Sequence, residues 1–597
     1  MDRAALQHQF STLSAVLLSE MNDHGFWRGE LSSSALATAV AIVSLKTGAP
    51  ESGQCRIGRG IQWLTGHINP DGGFGDSPNS CSNVSTTLLS YAALRFCSED
   101  QTAIAPVLSR VEQYLEKQCI NVNSPGLIDA VLNYYGKDYT FSVPILSMLA
   151  ICSVLDEDAF QRIPQLPFEF SLLPSSFYRF FNLQVVSYAI PALVGVGIYI
   201  FRHRRKKNLV YWYIRQRAIV PALRKLLRMV PESGGFLEAV PLTAFVSMCL
   251  VSAGFGDHPV VAQGLLFIER LQRTDGSWPI DTDLSTWVTT LGIKALGSRI
   301  HHVLPGENRE ILRSHLLKAQ VRHRHPFNDA SPGGWGWTDY TGSVPDADDT
   351  AGAILALLEL STAGEQDYQA VMDGCSWLAR LQNNDGGIPT FCRGWGKLPF
   401  DRSCCDLTGH ALLAWVKTLT VFCNKMSGKE IRRLTGAIHQ ALLFLQKQQH
   451  QDGYWLPLWF GNQLTAGKTN PVYGTARVMA YLQDALACGN LEKSEQTQVE
   501  HMLISSRRFL SRQQNSDGSW GAEKGITGSI EETSLAVCAL SGFDETSCNR
   551  GFRWLGKEYL KDGLNPQPIG LYFASLWYHE KMYPLVFYLE ALRRFLF

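Results

Sequence analysis

The chain has 597 residues, 45% hydrophobic and only 18% charged, which is too long for one core and too apolar for a disordered scaffold. Lys+Arg and Asp+Glu number 54 each, so no bulk positive field attracts nucleic acid, which argues against that class of partner. Fourteen cysteines follow no framework spacing and the opening "MDRAALQHQF" has no apolar signal core, which predicts reduced thiols in a cytosolic setting.

In chain order, the first unusual segment runs from Phe180 to Phe201 without a charge and is followed at once by "RHRRKK", Arg202 to Lys207. Three readings fit it: a helix dipping into one leaflet with the basic run on anionic headgroups, a buried core helix, or a membrane span. Asn182, Gln184, Ser187 and Pro191 interrupt the apolar run, which favours dipping over spanning.

A repeat then recurs along the chain. Gln272, Gln382, Gln449 and Gln514 open "QRTDGSW", "QNNDGGI", "QHQDGYW" and "QNSDGSW", with looser copies at "NPDGGFG" (Asn69) and "ESGGF" (Glu232). A leucine-rich helical pattern precedes each strong copy. Each is followed by a loop and a helix start rich in Thr or small residues. Asp-Gly turns the chain, the Gln amide can bond free backbone groups, and the Trp can pack between repeats. The fold class expected is all-α, two α/α barrels (toroids) enclosing a cavity, with inner-helix N-termini at Asp346–Asp349, Asp406 and Thr475 opening into it. An open helical solenoid serving as a binding scaffold is the competing architecture.

Between the repeats lies "SVPDADDTAGAILAL", Ser343 to Leu357. One Asp at a helix start is ordinarily a cap, but Asp346, Asp348 and Asp349 crowd one turn, and neighbouring carboxylates keep a proton bound. Such a protonated acid can serve as a general acid. Calcium is the inorganic rival, and the loop is short for it. Further on, "SCCDLTGHALLAW" places Asp406 and His410 on one helical face, where Asp406 could fix the imidazole tautomer and His410 could bond an acid of the cluster. Zinc on Cys404, Cys405, Asp406 and His410 stays open there. Trp335, Trp337, Trp287, Phe391, Tyr473 and Tyr572 fall in loops or helix starts near these groups. Aromatic faces around a dry cavity could hold a carbocation made by protonating a double bond.

With these residues in view, "GGWGWTDYTGSVPDADDTA" and the Gln-x-x-Asp-Gly-x-Trp repeats resemble the squalene–hopene cyclase family, the class II triterpene cyclases. "FEFSLLPSSFYRFFN" is similar to the segment leading into that family's membrane-inserting helix. The resemblance implies one barrel from residues 1–15 and 275–597, a second from 16–274 inserted in it, and a membrane-associating segment near 177–207. It implies a monotopic protein on the cytoplasmic side of the membrane, acting on a linear isoprenoid such as squalene, with a homodimer left open. By matching position Asp348 is the proton donor, flanked by Asp346 and Asp349; His410 backed by Asp406 sharpens it, and Tyr473 lies near. Trp337 and Phe391 match cation-facing aromatics, Trp287 a cavity tryptophan, and Tyr572 a retained aromatic of the C-terminal end. Protonation needs no metal or organic cofactor, and no Asp-Asp-x-x-Asp magnesium cluster is visible. Val288, Val240-Pro241, "RGELSSSALATAV" and the C-terminal "PQPIGLYFASLWYHEKMYP" depart from the family. The initiation end therefore matches while the terminating end differs. A zinc-dependent prenyltransferase-like barrel using Cys405, Asp406 and His410, and a non-catalytic polyprenoid carrier, are the rival functions.

Overall fold

A computed structural model describes residues 3–136, 139–181, 183–205, 208–361 and 364–597. It is built from two closed rings of inner helices, each sheathed by outer helices. The first ring joins Ala35–Gly48, Val84–Cys97, Tyr139–Ile151, Val186–His203 and Val240–Ser252, the last packing back on the first. The second joins Ser285–Leu296, Ala347–Leu360, Cys405–Phe422, Pro471–Ala487, Ile530–Leu540 and Tyr583–Leu596, and closes likewise. The all-α double barrel expected from the repeats is thus the architecture, and the open solenoid is not.

The repeat chemistry explains the closure. Gln382 Nε2 donates to Gly386 O of its own turn (2.8 Å) and to Ala437 O of the next outer helix (3.0 Å). Gln272, Gln449 and Gln514 do the same with Gly276 and Arg56, Gly453 and Met502, and Gly518 and Ser547. The turn glycines take φ near +90°, and a Cβ at Gly386 would stand 2.3 Å from Gln440 O, so only glycine lets the turn meet the neighbouring helix. Each Trp hands its indole N–H to the end of the preceding outer helix. Trp455 Nε1 reaches Leu445 O at 2.8 Å, while its backbone N–H meets Thr475 Oγ1 of the inner helix at 3.1 Å. One Trp therefore links both layers. Trp455→Ala is expected to cost about 3–5 kcal/mol, read as a lowered Tm with loss of the near-UV circular dichroism signal.

Two copies escaped the sequence pattern. Gln320 spans Gly333 O and Ala370 O across a long insertion. Trp27, after "DHG", gives its indole N–H to Leu17 O (2.6 Å) and takes Thr289 as its inner-helix partner. The helix Arg3–Ser19, which runs past residue 15, is accordingly the outer partner of Tyr583–Leu596 in the second ring. Ser33–Ser34 pairs antiparallel with Trp278–Pro279 beside the first ring, and Gly570–Tyr572 with Leu576–Tyr578 forms a hairpin whose Trp577 N–H donates to Asp76 Oδ2 (3.0 Å) in a loop of the first ring.

The apolar segment after residue 180 needs a correction. Val186–His203 is long and apolar enough to cross a membrane, yet two thirds of it (67%) is buried as a wall of the first ring, against Tyr139–Ile151 and Val240–Ser252. A helix apolar on every side finds its burial inside the protein. The dipping reading therefore fails for this helix and the core reading holds. Asn182, Lys206 and Lys207 of the segment lie outside the described residues. Exposed apolar surface sits on its two flanks instead, at Phe177, Phe180 and Phe181 before it and at Leu209, Val210, Tyr213 and Ile214 after it.

Candidate active site

The acid loop is held from both sides. Pro345 favours extended backbone before the helix, and Asp346 N–H pairs with Trp335 O (2.9 Å) in an isolated bridge, so the "GGWGW" stretch fixes the entry to Ala347–Leu360. Asp346 is the N-cap, its Oδ1 accepting from the N–H groups of Asp348 and Asp349 at 2.9 Å each. Asp346 and Asp349 are buried, whereas the Asp348 side chain keeps 22% of its surface accessible. Burial, partly offset by these hydrogen bonds, lifts Asp346 to about 7. Burial and the two neighbouring carboxylates push Asp349 well above its ordinary range, so Asp349 is a neutral acid donating to Asp346. Only Asp348 has both access and a base partner.

That partner is His410, whose Nδ1 lies 2.5 Å from Asp348 Oδ1. The imidazole is buried, stacks on Tyr481 (4.6 Å between centroids, 10° between planes) and meets the edge of Trp287 at 6.4 Å. Burial lowers its proton affinity, Asp348 opposes this, and Arg477 and Lys294 lower it further. Asp406 does not back His410 as expected: its Oδ1 accepts from Cys404 Sγ at 2.5 Å, because the carboxylate at the first turn turns toward the cap. Burial raises Asp406 to about 6, with the Asp348 charge adding. The zinc donor set is thereby divided between two partners, and among the described residues no group of three or more such side chains could hold a metal. The donor set also offers calcium no such group.

Tyr473, buried and stacked on Phe460 (4.1 Å), stands close enough to Asp348 and Asp406 to feel their charge. Trp287 donates Nε1 to Tyr583 Oη (3.1 Å). Trp337, Phe391 and Tyr572 form a second group. Trp337 Nε1 (3.1 Å) and Tyr572 Oη both donate to Asp281 Oδ2, a fully buried carboxylate that sequence reading passed over. Phe391 packs with Trp337, Phe400, Phe573, Trp459 and Tyr188 where the rings meet. The two groups join through Trp337 O, which accepts from Thr286 N at the start of the Trp287 helix (3.1 Å).

The aromatics expected to line an apolar cavity pack largely on one another. A cavity of about 360 Å³ lies on the other side of His410, inside the second ring, running from Trp287 and His410 past Lys294 to Lys417 and Arg594 at the helix C-termini. Lys294 on its wall was also missed, as were Tyr481 and Glu590 against Lys294 and Arg477 against Tyr481. Their signal in the sequence is a charge within an apolar run, as in "TTLGIKAL" and "GTARVMAYL".

A double α/α barrel whose inner-helix N-terminus carries an aspartate triad bonded to a buried histidine defines the class. Models of the squalene–hopene cyclase N-terminal and C-terminal domains match residues 11–118 and 284–595. The chain belongs to the squalene–hopene cyclase family. Enfumafungin synthase of Hormonema carpetanum is 25% identical over 93% of this chain, which spans only 45% of that protein's length. Squalene hopane cyclase of Aspergillus fumigatus is 24% identical, covering 84% of this chain and 76% of its own. Among solved structures, ent-copalyl diphosphate synthase of Arabidopsis thaliana aligns over 94% of this chain and 77% of its own with a TM-score of 0.44 and 13% identity.

Proposed function

We propose that this chain is a class II terpene cyclase that protonates a terminal double bond of a linear isoprenoid, such as squalene or a related polyprene, and steers the resulting cation through ring closures. The observation that carries this reading is the Asp348–His410 contact at 2.5 Å, on the one accessible carboxyl of a triad whose other two members are buried. In the proposed step the Asp348 O–H bond breaks and leaves its electron pair on oxygen. The alkene π pair forms the new C–H bond, and the positive charge falls on the more substituted carbon. Trp287 lines the cavity beside His410; Trp337, Phe391 and Tyr572 are the further aromatics assigned to the cation, each π face that meets it in a dry site stabilising it by about 1–2 kcal/mol, and Tyr473 is close enough to feel the charge of the donor. The test is incubation of purified protein with polyprenes of graded length, squalene included, with products identified by mass spectrometry. No cyclic product from any of them ends the proposal. A carrier would bind the polyprene and return it unchanged.

Two further parts of the reading are proposals. The division into 1–15 with 275–597 and an inserted 16–274 is supported by the two closed rings and by the packing of Arg3–Ser19 on Tyr583–Leu596. Attachment to the cytoplasmic face of a membrane is supported by Phe177, Phe180, Phe181, Leu209, Val210 and Ile214, exposed near Arg179 and Arg205. Phe180→Asp with Leu209→Asp is expected to lower partitioning onto anionic lipid vesicles at least about tenfold in a flotation assay, with the Tm unchanged. Undiminished flotation would remove the surface from consideration.

A further inference from the structure

Arg477 lies four residues after Tyr473 on Pro471–Ala487, one helical turn further along the same face, and is buried inside the second ring. Its guanidinium sits in an aromatic cage, 5.1 Å from the Tyr481 centroid, 5.8 Å from Phe587 and 5.9 Å from Trp287. Its Nη1 has no hydrogen-bond partner. Tyr481 is the ring on which His410 stacks, and Lys294 Nζ lies 4.7 Å from its centroid and 3.2 Å from Glu590. A buried guanidinium costs several kcal/mol to desolvate and is ordinarily tied by a bidentate carboxylate. Here it is held by π faces, and the region keeps a net positive charge: Lys294, Arg477, Arg593 and Arg594 against the carboxylates Glu590 and Asp484.

We infer that Arg477 is a positioning residue that supplies the fixed positive charge making the Asp348–His410 pair a strong proton donor. The inference rests on the acid role proposed above for Asp348. When Asp348 gives its proton to the alkene, a carboxylate is left in a dry site. A permanent cation behind the imidazole stabilises that carboxylate at every working pH, and it disfavours a second cation on His410. An imidazolium would do the same task only below its own titration range.

The other charged or titratable groups facing the pair do not substitute for it. On the acid helix Asp349 is neutral and Asp346 titrates near 7; on Cys405–Phe422 Asp406 titrates near 6. Tyr473, Tyr481 and Tyr583 are held as neutral phenols by burial. Glu590 stays ionised and is paired with Lys294. Lys294 pairs with Glu590 and Arg594 with Asp484, so Arg477 is the buried cation, set against the ring that stacks on His410, that makes no ion pair of its own among the described residues.

Arg477→Met and Arg477→Lys, in the full chain, test this. In Arg477→Met the pair holds its proton more firmly. The alkaline limb of cyclisation is expected to move up by about one pH unit, and the acid-side plateau of kcat to fall about tenfold. The His410 resonances, followed by nitrogen-15 NMR and assigned by their loss in His410→Gln, are expected to titrate about one unit higher. Arg477→Lys keeps all three near the parent values. Arg477→Gln, with a polar head for the cage, stands in if the Met variant does not fold. A fall in kcat with the His410 titration and the limb unmoved would mean that Arg477 only packs, and would overturn the inference. The His410 titration needs no turnover, so it decides the role of the charge even if no polyprene is cyclised, the outcome that would sink the acid reading separately.

Discussion

Asp348→Asn is expected to abolish cyclisation, with kcat reduced at least about a thousandfold and the Tm within a few degrees of the parent. The substitution is isosteric, and the amide can still hydrogen-bond His410 Nδ1, so the 2.5 Å contact is replaced rather than left open. What is lost is a proton that can be given to carbon. Neither neighbour can supply it: Asp346 Oδ1 is occupied by two backbone N–H groups, and Asp349 is buried and directed at Asp346. Asp349→Asn is the informative contrast. Asp349 is already neutral, and an amide can donate to Asp346 in its place, so a far smaller loss is expected, about tenfold or less. Initial rates on whichever polyprene the parent protein cyclises give both numbers. Asp348→Asn within tenfold of the parent would remove Asp348 as donor, and equal losses in the two variants would mean that the triad acts only by shaping the helix start.

Much of this arrangement was legible because local chemistry fixes it. The Gln-x-x-Asp-Gly-x-Trp copies specify a turn glycine, a Gln bridge and an indole N–H, and each makes contacts with its own and the adjacent repeat, so a periodic sequence yields a closed ring. The acid triad was legible for a similar reason, since a cap and two first-turn carboxylates lie within four residues. The Asp348–His410 contact followed from helix starts meeting at one end of the ring. What was not legible depends on contacts distant in sequence. Asp406 and His410 share a helical face, yet the partner of Asp406 is Cys404, a choice made by the cap geometry rather than by spacing. Asp281 gains its meaning only when Trp337 and Tyr572, one of them nearly three hundred residues away, converge on it. Val186–His203 reads as a membrane segment because hydropathy does not tell lipid from a ring of helices. Trp27 was missed because its repeat is split between the two ends of the chain.

Glu590→Gln is expected to be among the most destabilising single changes in the second ring. Glu590 is buried, and burial alone would raise its titration, yet Lys294, Arg477, Arg593 and Arg594 together bring it down to about 2. The folded value lies below the unfolded value of about 4.5, so the folded chain binds fewer protons between the two. The stabilisation from this group is therefore fully present above about pH 4.5 and is lost as the pH falls toward 2, a contribution on the order of 3 kcal/mol. In Glu590→Gln that component is gone at every pH, and Lys294 and Arg477 remain buried without their counter-charge, a situation that costs about 3–5 kcal/mol. For a ring of this size the apparent Tm near pH 7 should fall by roughly 5 °C. The acid-side decline of Tm between pH 4.5 and 3 should be shallower than in the parent, because one group that drives it is missing. Lys294, already held below its ordinary range by burial, should then release its proton more readily. Adding Lys294→Met to Glu590→Gln removes one of the two orphaned cations and should restore part of the lost Tm. A double variant no more stable than Glu590→Gln alone would show that the 3.2 Å Lys294–Glu590 pair is not what holds this part of the ring together.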